Sequence, residues 1–257
     1  MIKGHSLQER LATRRSLIGL LQAHPSPALA EMAGMCGYDF LLLDGEHGTF
    51  SESDYLHTLQ ALAAADVAAL VRLGGHDTRA IGRYLDMGAD AIVVPNVSTA
   101  EQARTLVHGM EYPPAGTRGM GAGLHRATRY GLDLKAHLLA PREGVCLIVI
   151  IESALGVANV EDILAVEGID GVIVGPSDLT ADLGCAGDYS RLAYVEAVSR
   201  IEKAAAARGM ILGTAPHPGN PVHALVARGH RLLIVGSDMP LICEAMSAQV
   251  ARARSCL

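Results

Sequence analysis

The sequence predicts a (β/α)8 TIM barrel, and three observations carry that expectation. Short runs rich in Val, Ile and Leu alternate with longer Ala-rich segments of helical period, the mark of βα units around a buried parallel sheet. The runs number eight in 257 residues, a usual length for such a barrel. Three of them, 38–44, 145–151 and 170–174, lead into acidic residues, as strands do when they feed a site at the open end of a barrel.

In chain order the strands are expected at about 16–22, 38–44, 68–73, 90–95, 145–151, 170–174, 210–214 and 231–235. Helices fit 26–35, 51–64, 77–87, 99–109, 155–166, 191–208, 220–228 and 239–254. Entry caps mark several of them: Ser51, Asp77, Ser98 or Thr99, and Asn220 with Pro221 behind it. A doubly wound open sheet is the structural alternative, but it would want a Gly-rich turn after the first strand, where His24-Pro25-Ser26-Pro27 stands. The connection 111–140, with Pro113-Pro114 and glycines at 116, 119, 121 and 123, exceeds a plain strand-to-strand link, and long loops at this face tend to be functional.

Composition excludes several classes. Half of the residues are hydrophobic, enough for a large core. A net charge of -6, with the arginines scattered, argues against nucleic acid or an anionic membrane as partner. Five cysteines, odd in number and without a Cys-x-x-Cys pair, indicate neither a disulfide framework nor a zinc site. Met1 to His5 lacks the apolar core of a signal peptide, and no apolar run approaches the roughly 18 residues of a membrane span. The expected location is the cytoplasm.

The rim of the expected barrel offers, in strand order, Gln22, Asp44 with His47, Arg72, Pro95-Asn96, Glu152, Asp178, Pro216-His217 and Ser237-Asp238. Glu152 and Asp178 end adjacent strands, whose spacing of roughly 4.8 Å puts both carboxylates within reach of one cation. A hard, oxygen-only pair of this kind favours Mg2+ or Mn2+. Taken singly, either carboxylate fits a helix cap or an arginine partner as well as a metal. Asp44 and His47 suggest a dyad in which the carboxylate orients the imidazole as a general base; a loop histidine beside a capping aspartate is the competing reading. Arg72 suits a substrate carboxylate or a developing enolate, and equally a structural ion pair with Glu46 or another rim acid.

The three lysines, Lys3, Lys135 and Lys203, fall in the N-terminal tail, the long connection and a helix. None ends a strand, so a Schiff-base mechanism has no nucleophile and carbonyl activation falls to a metal. Gly119-Met120-Gly121-Ala122-Gly123 precedes no Lys-Ser or Lys-Thr and is not a phosphate loop. Arg118, His125, Arg126 and Arg129 are expected mostly at the surface, with a substrate acid group or a neighbouring subunit as the other reading. His57 and His108 read as surface residues, and Met87, Met239 and Met246 as packing.

Five strings, in order and spread from about residue 16 to 240, resemble one family. They are Leu42-Leu43-Asp44-Gly45-Glu46-His47, Val71-Arg72, Tyr112-Pro113-Pro114-Ala115-Gly116-Thr117-Arg118-Gly119, Ile151-Glu152, and Asp170-Gly171-Val172-Ile173-Val174-Gly175-Pro176-Ser177-Asp178-Leu179. The family is that of the HpcH/HpaI metal-dependent (class II) pyruvate aldolases. The resemblance implies a barrel of the phosphoenolpyruvate/pyruvate-binding type over 1–257, with Mg2+, Mn2+ or Co2+ on Glu152 and Asp178. It implies an Asp44–His47 base pair, Arg72 at the keto oxygen, and substrate contacts from Gly175, Pro176, Ser177 and Leu212. It also implies a homohexamer that exchanges its last helix between neighbours. The reaction implied is reversible cleavage of a 4-hydroxy-2-oxo acid to pyruvate, or a close 2-oxo acid, and an aldehyde. Many members carry Gln two residues before the metal-binding Glu, where this chain has Ile150. Two alternatives remain at this point: a coenzyme A thioester lyase of the citrate lyase type, and a non-catalytic 2-oxo acid binding protein.

Overall fold

The computed structural model describes residues 5–257; Met1 to Gly4, and with them Lys3 and the start of the expected N-terminal tail, lie outside the described residues. Eight strands close into one parallel barrel in chain order. They are β1 (Leu17–Gln22), β2 (Phe40–Asp44), β3 (Ala68–Arg72), β4 (Ala91–Val94), β5 (Cys146–Ile151), β6 (Gly171–Val174), β7 (Ile211–Thr214) and β8 (Leu232–Ser237). Between them run α2 (Pro27–Met35), α3 (Glu52–Ala64), α4 (Thr78–Met87), α5 (Ala100–Met110), α10 (Leu192–Ala207) and α11 (Val222–Ala227), and α12 (Asp238–Arg254) follows β8. Three of the expected caps are in place: Ser51 accepts from the Asp54 amide, Asp77 from that of Arg79, and Thr99, rather than Ser98, from that of Gln102; Asn220 is not one, since Pro221 takes the cap position of α11 and no side chain caps it.

Side-chain alternation of period two builds two cores from the same strands. On β5, Cys146, Ile148 and Ile150 join Phe40 and Leu70 inside the barrel, while Leu147, Val149 and Ile151 face the helices. Ile150 therefore points the same way as Glu152, into the mouth of the barrel. Packing at the barrel floor is tight: a Cβ on Gly19 would overlap the ring of fully buried Phe40, so β1 needs glycine there.

Four elements depart from the expected layout. A helix α1 (Leu7–Thr13) precedes β1, started by a Ser6–Glu9 capping box; fully buried Leu7 joins the interior core where the strands begin. The segment expected as one helix over 155–166 is two, α7 (Ala154–Ala158) and α8 (Val160–Leu164), parted at Asn159, whose amide donates to the Ser98 carbonyl at 2.8 Å. Pro176 at its first position starts α9 (Pro176–Asp182) directly after β6. The long connection holds a short 3-10 turn (Arg126–Thr128) and α6 (Leu134–Leu139), and it packs down rather than standing in solvent. Arg118 and Arg126, expected mostly at the surface, are buried. Arg118 donates to Asp86 at 2.7 Å and lies over the Tyr112 ring, and Arg126 donates to the Met87 carbonyl at 2.8 Å. Arg129 stays exposed, paired with Asp133. Among the described residues no helix is long and apolar enough to cross a membrane.

Overpacking a full core costs about 1–3 kcal/mol. Gly19→Ala is expected to lower the denaturation midpoint accordingly, and adding Phe40→Leu to recover part of the loss by removing the overlapping ring atoms. Urea titration of the wild type, the single variant and the double variant measures this; an unshifted single variant would show that the floor is not sterically filled.

Candidate active site

The parallel register of β2 and β3 sets Asp44 directly beside Arg72 at the open end. Their side chains meet in a two-pronged ion pair, Arg72 Nε to Asp44 Oδ1 at 2.9 Å and Nη2 to Oδ2 at 2.7 Å. Asp44 Oδ1 also accepts the backbone N–H of Glu46 (3.0 Å) and of His47 (3.2 Å), which folds the following loop back over the strand end. Burial opposes the charge on Asp44, but Arg72 and these two N–H groups outweigh it and hold the carboxyl below its usual value. Tight backbone contact completes the corner: a Cβ on Gly45 would come within 2.6 Å of the Arg72 carbonyl.

This arrangement corrects the expected dyad. Asp44 holds His47 by its backbone, not by its imidazole, because both carboxylate oxygens are taken by Arg72. The imidazole is 67% exposed, and the carboxylate near it is that of Glu46, 3.9 Å from Nε2. Glu46 in turn sits 3.1 Å from Arg72 Nη1. Glu46 was legible only as an arginine partner; its place between Asp44 and His47 was the available signal for its bridging position. The structural ion pair weighed for Arg72 is present, and Arg72 nevertheless lines the cavity at the barrel mouth.

That cavity, of about 330 Å3, brings together Arg72, Glu152, Gly175, Pro176, Ser177 and Asp178, with Ile150, Leu21, Leu42, Ile173 and Ile234 among its apolar lining. Pro216 and Ser237 from the rim also reach it. Leu212 does not. It lies in the middle of β7 with its side chain in the helix-facing core, and the wall after that strand is made by Ala215 and Pro216. Other rim residues serve the scaffold: Gln22 donates to the His24 and Ser26 carbonyls, and Asp238 accepts the amides of Ala23 and His24. His217 stacks on Tyr189 with ring centroids 4.0 Å apart and meets the Tyr194 hydroxyl at 3.1 Å.

Glu152 is buried, with Oε1 accepting the Asn96 N–H at 2.7 Å. A Cβ at residue 175 would overlap Oε2, so glycine there is what leaves room for the carboxylate. Burial, together with the negative charges of Asp178 and Glu46, pushes the carboxyl up to about 7 despite the Asn96 N–H and Arg72. A buried carboxylate short of positive charge, sharing a cavity with a second carboxylate, Asp178 in the first turn of α9 after the neighbouring strand β6, is a donor set that fits a divalent cation. Among the described residues no group of three or more His, Cys, Asp or Glu side chains forms a metal cage, so a cation held here would keep most of its positions for water and substrate.

A closed (β/α)8 barrel with acids, an arginine and an exposed histidine gathered around its open end defines a barrel of the enzyme type. The model of the HpcH/HpaI aldolase/citrate lyase family matches residues 17–245, and the chain belongs to that family. Members of this family generally depend on a divalent metal. Over 248 residues the chain is 40% identical to a hydroxypyruvate/pyruvate aldolase of Delftia acidovorans, spanning 96% of this chain and 92% of that one. It is 38% identical to a 2-keto-3-deoxy-L-rhamnonate aldolase of Salmonella gallinarum, over the same shares of the two chains. A HpcH/HpaI aldolase/citrate lyase family protein from Burkholderia cenocepacia superposes with a TM-score of 0.89 at 31% identity, covering 97% of this chain and 99% of that one.

The raised Glu152 carboxyl makes metal-free stability depend on pH. Below about 4.5 folded and unfolded chains both hold the proton; from there to about 7 the unfolded chain has released it while the folded chain still holds it, so stability falls across that window and is level above it. Glu152→Gln removes that loss, so with chelator present the variant is expected to be more stable than wild type at pH 8, by on the order of 3 kcal/mol, and equal to it near pH 4.5. Denaturant titrations at both pH values check this; a pH-independent difference would show that burial does not hold the proton on Glu152.

Proposed function

We propose that this chain is a class II pyruvate aldolase, a carbon–carbon lyase that reversibly cleaves 4-hydroxy-2-oxo acids to pyruvate, or a close 2-oxo acid, and an aldehyde. The observation that carries the reading is the meeting of Glu152 and Asp178 with Arg72 in one cavity at the barrel mouth. The aldolase names of the two relatives support it over the coenzyme A lyase, and no basic nucleotide pocket speaks for that alternative in the sequence. Glu152 and Asp178 are the residues we assign to the cation, of which Mg2+, Mn2+ and Co2+ suit an oxygen-rich pair. When bound, the cation supplies Lewis-acid polarisation of the substrate's keto group.

The chain's own residues do the rest. Arg72, held flat by Asp44 and Glu46, lends a fixed positive charge to the oxygen on which negative charge develops as the C3–C4 bond breaks. The N–H groups of Ser177 and Asp178, at the start of α9, hold the substrate carboxylate, while Gly175 and Pro176 keep the backbone close enough for that contact. His47 takes the proton from the 4-hydroxyl, leaving the aldehyde, and returns it in the synthetic direction. Glu46 sits beside the imidazole, its Oε2 3.9 Å from His47 Nε2.

We further propose one barrel domain over 1–257, working in the cytoplasm as a homohexamer in which α12 is exchanged. Beyond Asp238, α12 is exposed along its length, with Met246 64% and Val250 49% exposed. On the outside of the barrel, a second cavity of about 420 Å3 is walled by Ile18, Leu20, Leu29, Met32, Val235 and Leu241, beside the seam of β8 and β1 where a covering helix belongs. All five cysteines are free, as a reducing compartment keeps them.

The test of the activity is pyruvate release from a panel of 4-hydroxy-2-oxo acids with and without Mn2+. Chelator is expected to abolish turnover, Mg2+, Mn2+ or Co2+ to restore it, and borohydride with pyruvate to leave the protein mass unchanged; a trapped adduct would sink the mechanism. In the same assay His47→Ala is expected to lower kcat by roughly 10^2 to 10^4 with pyruvate binding retained, and near-normal turnover would make it a plain loop histidine. Sedimentation should give the mass of six chains, and removal of residues 239–257 should yield smaller species; a wild-type monomer would refute the exchange.

A further inference from the structure

Glu152 does not hold its position alone. Its Oε1 accepts the backbone N–H of Asn96, from the loop after β4, at 2.7 Å. Asn96 has φ +49°, the left-handed region that asparagine visits far more readily than other non-glycine residues. A residue kept there marks a place where the surroundings over-determine the backbone.

Those surroundings form a directed hydrogen-bond chain. The Gly156 N–H donates to Ser153 Oγ at 3.1 Å, Ser153 Oγ and Ser98 Oγ lie 2.8 Å apart, and Ser98 Oγ donates to Asn96 Oδ1 at 3.2 Å. Ser98 spends its one proton on Asn96, so Ser153 must donate to Ser98, and every proton in the chain is then used once. The Asn159 amide fixes the Ser98 carbonyl at 2.8 Å, and the Val97 N–H donates to the Ile150 carbonyl at 3.2 Å. The loops after β4 and β5 are thereby locked together around the carboxylate, whose second oxygen packs where Gly175 has no side chain.

We propose that the Asn96 turn is a positioning device: its left-handed backbone aims an N–H at one oxygen of Glu152 and so fixes which oxygen is left for a divalent cation. The inference rests on the assignment of Glu152 as a metal ligand. Asn96 acts through its backbone shape, and its amide side chain only helps to hold that shape.

Mn2+ titration of the folded apoprotein, followed by electron paramagnetic resonance without substrate, tests this. Asn96→Val puts a β-branched residue where the left-handed region costs most, and is expected to weaken Mn2+ binding about tenfold. Asn96→Gly keeps the turn without the side chain, and should bind within about twofold of wild type. Asn96→Ala, expected to lose about threefold, takes the place of the valine variant if that one does not fold. Equal affinity in the wild type and the valine or alanine variant, or a glycine variant as impaired as either, would overturn the proposal. A wild type that binds no Mn2+, or Glu152→Gln binding as tightly as wild type, would overturn the metal assignment and this inference with it.

Discussion

The pairing of Asp44 with Arg72 is the constraint on which the open end depends. Two strands in parallel register place a carboxylate and a guanidinium side by side, and the bidentate bond fixes both planes. The spare capacity of Asp44 then turns the loop back through the Glu46 and His47 amides. The same guanidinium holds Glu46, which brings a second acid near the imidazole. One ion pair thus orients the cationic member of the site, shapes the loop that carries its histidine, and does so without a side-chain bond to that histidine.

Much of this was legible in the chain. Alternating apolar runs gave the eight strands and their order, because a strand buried on both faces has to be apolar throughout. The acids after the second, fifth and sixth strands were visible because each follows an uninterrupted uncharged stretch, 40–43, 146–151 and 171–174. What escaped was whatever depends on which way a side chain turns after the strand ends. Asp44 and His47 are three apart, which is compatible with an imidazole bond or a backbone bond, and only the position of Arg72 decides between them. Leu212 failed for a simpler reason: it sits mid-strand, and a one-residue difference in a pleat exchanges cavity for core. The burial of Arg118 and Arg126 was hidden because their partners, Asp86 and the Met87 carbonyl, lie on a helix more than thirty residues earlier.

Charge and apolar surface are segregated within the mouth. Arg72, Glu152 and Asp178 share a cavity whose other walls include Leu21, Leu42, Ile150, Ile173 and Ile234. A low-polarity lining strengthens every electrostatic contact made above it, since fewer dipoles are free to reorient. It also explains why the Glu152 carboxyl keeps its proton to about 7 when no cation is there to replace it. Ile150, one strand pleat before Glu152, belongs to this apolar part; an amide at the same place would have offered the carboxylate or its water shell a donor.

If α12, exposed beyond Asp238, is exchanged as proposed, the solidity of each barrel depends on the presence of its neighbours. The apolar cavity beside the seam of β8 and β1 would then be completed by another copy, and in the proposed assembly folding and association would share one equilibrium. Dilution would act on such an assembly as a mild denaturant, and the protein when scarce would stand on a thinner margin than when abundant.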